Sequence, residues 1–310
     1  MKPFFYFLVI CCLLSVAASA QSRPVQATEV AITIDDPDLN SNDTPKLALD
    51  ERNAAILAAL RKHKDLKAAL FVCGMRVDNE QGKKHLLDWD KAGHLIGNHS
   101  YSHFFYPRAG FEKFSQDVLK GEAIISGLKN YRKFFRFPYL KEGDTAEKRD
   151  QMRAFLNEKN YRMGYVTIDT SEWAIDARLR KRLNENPNAD LTAYRDFYLE
   201  HIWERAQFYD QLTGKVVGKP VKHTLLIHHN LVAALFLDDL LQMFEKKGWK
   251  LINAERAFQD SIFKKLPNVI PAGESIIWSL AKESGKFESE LRYPAEDERY
   301  EKEKMDRLGL

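Results

Sequence analysis

The chain has 310 residues, with 47 Lys and Arg against 44 Asp and Glu, for a formal net charge of +3. That near balance, with no basic run interleaved with aromatics, argues against a nucleic-acid binder. The length suffices for one large core or two small ones.

The first element is a leader. Met1-Lys-Pro is followed by an apolar run over residues 4–16 and by Ala17-Ala-Ser-Ala20. This reads as a secretory signal peptide cut after Ala20, so the protein is expected to be exported, periplasmic or secreted. The apolar run is shorter than the ~20 residues of a spanning helix, so no stable membrane insertion is expected after cleavage. A lipid anchor at Cys11 is disfavoured by Ile10, where a small residue belongs. Two of the three cysteines leave with the leader. Cys73 remains, in an apolar strand pattern that suits a buried, inert thiol without a disulfide partner.

Beyond the leader, strand and helix signals alternate. Residues 30–34 form a β-branched strand, and Asp50 is placed to cap a helix with Ala54, Leu57, Ala58 and Leu60 at helical spacing. Strand 68–72, helix 83–91, strand 94–98, helix 111–128 and strand 133–136 follow. Then come helix 147–156, strand 162–168, a long helix over 191–212, strand 223–227, helix 233–245 and strand 249–252. Tyr194, Phe197, Tyr198 and Trp203 on the long helix are expected in the core. The alternation predicts an α/β fold, a distorted (β/α) barrel of about seven parallel strands in one domain. That domain spans residues 21–285, and residues 286–310 read as a charged, solvated helix or tail.

Polar residues close several of these strands. His99 and His103 are four apart, a spacing that on a helical turn points both imidazoles the same way, as two metal ligands require. A carboxylate from elsewhere would complete a two-His, one-carboxylate site. Asp35-Asp36 ends the first strand and can supply it. Two adjacent carboxylates on an apolar strand need partners; one on a metal and one on Arg136 would satisfy both, the alternative being an exposed turn continuing into Pro37-Asp38. His228 ends the most apolar strand, on the face of Leu226 and opposite His229. It suits a proton donor beside a metal site, or a hydrogen-bonded core histidine.

Five segments carry a resemblance: Thr33-Ile-Asp-Asp36, His99-Ser-Tyr-Ser-His103, Arg136-Phe-Pro-Tyr139, Asp169-Thr-Ser-Glu-Trp173 and Leu225-Leu-Ile-His228. In this order, across residues 30–252, they resemble the five motifs of the polysaccharide deacetylase family, carbohydrate esterase family four, also called the NodB-homology domain. The resemblance implies a distorted barrel that removes acetyl groups from N- or O-acetylated sugars. It implies Asp36, His99 and His103 as ligands of one divalent ion, zinc by preference, with cobalt or nickel also allowed. Asp35 would be the general base, oriented by Arg136, and His228 the general acid. The Tyr139 N–H would help hold the oxyanion, and Trp173 and Leu226 would wall the acetyl pocket.

The implied partner is an acetylated glycan: peptidoglycan, chitin-like or xylan. Two departures stand out. Asp-Asp-Pro-Asp replaces the usual Asp-Asp-Gly-Pro, so the loop beside the metal must differ. Glu172 precedes Trp173 where an Asp is typical, leaving Asp169 as a rival for the carboxylate that tunes His228. The competing readings are a hydrolase of the same fold acting on a non-sugar amide, and a non-catalytic glycan-binding module. The module would be expected to lose Asp35, a ligand or His228, and this chain keeps them all.

Overall fold

The computed structural model describes Met1 and residues 27–293 and 295–310. The rest of the leader expected over residues 1–20 lies outside them. Among the described residues no helix is long and apolar enough to cross a membrane.

The strands are β1 (Glu29–Asp35), β2 (Ala69–Val72), β3 (Leu95–Asn98), β4 (Tyr131–Phe135), β5 (Lys141–Gly143), β6 (Arg162–Met163), β7 (Lys222–His228), β8 (Lys250–Leu251) and β9 (Ala272–Gly273). Seven of them form one parallel sheet in the order β6-β4-β3-β2-β1-β7, with β8 also on β1. β1 is buried along its whole length, as expected for a parallel strand covered on both faces. Its register sets Asp35 opposite Phe71 on one side and His228 on the other. β5 and β9 make a separate antiparallel pair.

The sheet curls back on itself. Ile168 bridges Leu225 in parallel, and the Leu226 N–H donates to the Ile168 carbonyl at 3.0 Å. The result is the distorted (β/α) barrel of about seven strands that the alternation predicts.

The strand predicted over 162–168 is a correction, because only its two ends are paired as strand. Between them, side chains take the backbone bonds that a ladder would use. The Gly164 carbonyl accepts from Arg136 Nε at 2.7 Å, and the Tyr165 carbonyl accepts from the Thr224 hydroxyl at 3.2 Å.

The helices are α1 (Leu49–Lys62), α2 (Gly74–Val77), α3 (Glu80–Lys91), α4 (Phe111–Ile125), α5 (Ala146–Glu158), α6 (Glu172–Glu185), α7 (Thr192–Val217), α8 (Leu231–Lys246), α9 (Ala254–Ala257), α10 (Ile276–Ser284) and α11 (Arg299–Leu308). Asp50 does not cap α1. The N-cap is Ala48, whose N–H donates to the Glu51 carboxylate at 2.7 Å, while Asp50 pairs with His85 of α3 at 2.7 Å. Tyr194, Phe197 and Tyr198 of α7 are buried, and Trp203 packs against the same core. They are structural, as their spacing predicts.

The C-terminal segment is not a solvated tail. Met305 and Glu301 of α11 are buried. Glu301 accepts from the Ser171 hydroxyl at 2.7 Å and lies 3.5 Å from His201 of α7. A helix this rich in charge packs inward because each buried carboxylate finds a donor there.

Candidate active site

The C-terminal edges of β1, β3, β4 and β7, with the segment ending at Ile168, deliver their polar residues to one cavity of about 520 Å³. Asp35, Asp36, His99, His103, Tyr139, Asp169, Trp173, Leu226 and His228 all line it. Arg136 and Glu172 stand behind that wall, both buried.

Arg136 meets Asp35 at 2.5 Å and lies 3.9 Å over the Phe71 ring. Its main-chain carbonyl accepts from His99 Nδ1 at 2.8 Å. A carbonyl can only accept, so Nδ1 carries the proton and Nε2 is left with its lone pair free.

Asp36, His99 and His103 bring one ligand atom each to within 4.8 Å of one another. Burial pushes both imidazoles down to about 4, against the pull of Asp36, so they are neutral at pH 7. Burial alone would raise the Asp36 carboxyl, but His103, His99 and Arg76 outweigh it and hold it at about 2. Asp36 Oδ1 is buried without a hydrogen-bond partner; Arg76 Nε approaches it to 3.2 Å without hydrogen-bond geometry. Two neutral imidazoles, an ionised carboxylate and a buried oxygen short of a partner fit a divalent cation.

The other two carboxylates face a different chemistry. Burial raises Asp35 to about 6, although Arg136 and His228 pull it down. His228 is pushed down by burial but carried up to about 9, chiefly by Glu172. Glu172 Oε1 accepts from the His228 N–H at 2.8 Å and lies 3.1 Å from its Nδ1. Asp169 is placed elsewhere: it accepts from the Thr170 N–H at 2.9 Å, and burial, then Glu296, raise it to about 7. The structure therefore pairs His228 with Glu172. His229, on the opposite face, is buried and accepts from the Asp38 N–H at 3.2 Å.

Backbone strain gathers in the same place. Asp36, His103 and Tyr139 have φ of 56°, 55° and 57°, a region costly for non-glycine residues and typical of functional sites. The Asp-Asp-Pro-Asp departure has a structural counterpart: buried Asp38 is held by His85 of α3 at 2.8 Å.

The motifs leave out several charged residues that line the cavity, among them Arg76, the Lys141–Glu274 ion pair, and Glu296 with Asp297. Arg76 could have been noticed, since it follows β2 as the other polar residues follow their strands. The remainder carry no strand-end signal.

The polysaccharide deacetylase family model matches residues 22–163. A peptidoglycan-N-acetylglucosamine deacetylase of Bacillus cereus is 33% identical over 256 residues, covering 80% of this chain and 74% of that protein. The chain belongs to the polysaccharide deacetylase family.

Two solved structures agree with the fold of this polysaccharide deacetylase family member. A CE4 family pseudoenzyme from Bacillus anthracis has 19% identity and a TM-score of 0.52, over 75% of this chain and 66% of that one. A peptidoglycan N-acetylglucosamine deacetylase in complex with a naphthalenyl N-oxidanyl-benzamide has 22% identity and a TM-score of 0.50, over 77% of this chain and 91% of that one.

Proposed function

We propose that the protein is a metal-dependent deacetylase that hydrolyses the acetamide of N-acetylglucosamine in an exported glycan, peptidoglycan first. The observation that carries this reading is one cavity flanked by two opposed proton-transfer pairs. Asp35, held by Arg136, and His228, held by Glu172, are register partners on neighbouring strands, beside the Asp36, His99, His103 cluster. The Bacillus cereus relative is a peptidoglycan-N-acetylglucosamine deacetylase, which favours that glycan over chitin-like or xylan substrates. The same similarity supports an N-acetyl over an O-acetyl target. The leader-like sequence over residues 1–20 agrees with export toward such a substrate.

Asp36, His99 and His103 would hold the divalent ion, zinc by preference with cobalt or nickel also suited. When bound, it supplies Lewis acidity toward the acetyl carbonyl and toward the attacking water. Asp35, held by Arg136, takes the proton of that water. The Tyr139 N–H, in its left-handed turn at the cavity wall, donates to the oxyanion. Trp173 and Leu226 enclose the methyl group. His228, kept protonated by Glu172, gives its proton to the departing amine as the C–N bond breaks. Acetate and a free amino sugar leave, and the two residues exchange protons with solvent.

Acetate release from N-acetylated and O-acetylated glycans, with and without chelator, tests the reading. Release from the N-acetylated glycans, lost with chelator and restored by zinc, is expected. Equal rates with and without chelator would remove the metal from the mechanism, and release from a non-sugar amide alone would move the activity to another class.

A further inference from the structure

The catalytic cavity has a neighbour. Across the Lys141–Glu274 ion pair lies a second cavity of about 250 Å³, lined by Phe105, Arg108, Asp144, Trp278 and Tyr293. Lys141 and Glu274 line both cavities. A row of edge-to-face rings also links them: His103 to Tyr139 at 4.6 Å and Tyr139 to Phe105 at 5.7 Å.

Tyr293 is 60% exposed, yet its backbone is clamped. Its N–H donates to the Tyr300 hydroxyl oxygen at 2.8 Å, and that hydroxyl donates to the Tyr293 carbonyl at 3.2 Å. Its ring stacks on Trp278, centroids 6.3 Å apart and planes at 27°. The Trp278 indole N–H in turn donates to the Arg292 carbonyl at 2.9 Å. Phe105 on the opposite wall is also exposed, with the Arg108 guanidinium 5.7 Å over its ring. Water-facing rings held this firmly around a concave space give the fold nothing, and mark a surface that contacts something else.

We propose that this second cavity is a saccharide subsite, which takes the sugar ring adjacent to the one whose acetyl group enters the catalytic cavity. The proposal rests on the deacetylase reading above. A pyranose ring presents a face of weakly positive C–H groups, which lies on the negative π face of an aromatic ring. Its hydroxyls need donors and acceptors at the rim, and Arg108, Lys141, Asp144 and Glu274 supply both. Two cations balance two anions there, which fits a neutral sugar better than a strongly charged ligand. Continuity selects the occupant, because a glycan seated over His228 and Tyr139 must pass the Lys141–Glu274 pair to continue along the row of rings. Glu274, Trp278 and Tyr293 all lie beyond residues 22–163, where the family model matches.

The test is acetate release from β-1,4-linked N-acetylglucosamine oligomers, dimer to hexamer, by the zinc-loaded protein. The wild type is expected to gain in kcat/KM with length. Tyr293→Ala and Phe105→Ala should each cut the hexamer-to-dimer ratio by about three- to tenfold, the scale of one lost ring contact. Tyr293→Phe, which keeps the ring, should restore it. A ratio unchanged in both alanine variants, or no length dependence in the wild type, overturns the subsite. If no glycan releases acetate, the deacetylase reading falls, and calorimetric titration of the hexamer still decides the subsite. Binding that weakens in Tyr293→Ala supports it; no binding, or equal binding, overturns it.

Discussion

Glu172 holds His228 at two points, accepting from its main-chain N–H at 2.8 Å and lying 3.1 Å from its Nδ1. The carboxylate both fixes the ring and keeps it charged, carrying His228 up to about 9 against its burial. A general acid works only while protonated, so the rate is expected to fall as pH rises through that value. Glu172→Gln removes the charge, lowers the His228 pKa and should move the alkaline limb to lower pH. Asp169→Asn should leave that limb in place, since Asp169 makes no bond to the imidazole. The pH profiles of kcat/KM for both variants decide the point, and movement in Asp169→Asn alone would transfer the role.

The acid limb belongs to Asp35. Burial raises its carboxyl to about 6, and Arg136 keeps it from rising further. A base works only while ionised, so the rate falls as pH drops through its pKa. Arg136→Met should therefore shift the acid limb to higher pH. An unmoved limb would mean that Arg136 serves structure alone.

Asp35 and Asp36 are adjacent yet assigned different work. Asp35→Asn is expected to retain the metal and lose ~10²–10⁴ in kcat, the usual scale for a general base. Asp36→Asn should lose the metal itself. Elemental analysis beside kinetics separates them, and the opposite pattern would exchange the two assignments.

Protein purified without added metal is expected to carry close to one equivalent of divalent ion, an estimate from the single three-ligand cluster. Zinc at ~100 times its dissociation constant should stabilise the fold by about 2.7 kcal/mol. His99→Ala and His103→Ala should abolish that gain in thermal melts. A melt indifferent to zinc and to chelator would argue against the cluster as a metal site.

Gly164 links packing to catalysis. A Cβ there would lie 2.4 Å from Phe71 Cε1, and the Arg136 guanidinium rests on that ring at 3.9 Å. Gly164→Ala is expected to cost ~1–3 kcal/mol, the range for overpacking a filled core. It should also lower kcat by displacing Arg136 from Asp35. Urea unfolding and turnover measured together check this, and a stable but inactive variant would place the whole effect at the site.

The barrel and most of its catalytic edge were legible in the residues themselves. Short apolar β-branched runs alternating with helical periodicity read as buried strands, and a parallel sheet collects whatever follows each strand along one rim, which gathers Asp35, Asp36, His99, Arg136 and His228. Their type and spacing suggested a metal pair in His99 and His103 with one carboxylate of Asp35-Asp36, and a proton donor in His228; the division of roles between Asp35 and Asp36 rested on the family resemblance. The sequence could not choose between Glu172 and Asp169. Both follow the same strand, and only the helical turn that begins at Glu172 sets which carboxylate reaches the imidazole.

Nor could it show that the charged C-terminal stretch closes on the site. Charge in a sequence reads as solvent exposure. Glu296 and Glu301 become interior residues because Tyr209 and Ser171, distant along the chain, and Arg292 close by supply the hydrogen bonds that burial demands, with the Arg205 guanidinium paired to Glu296 by charge. That pairing exists only once the chain is folded, and with it the aromatic cavity beside the catalytic one.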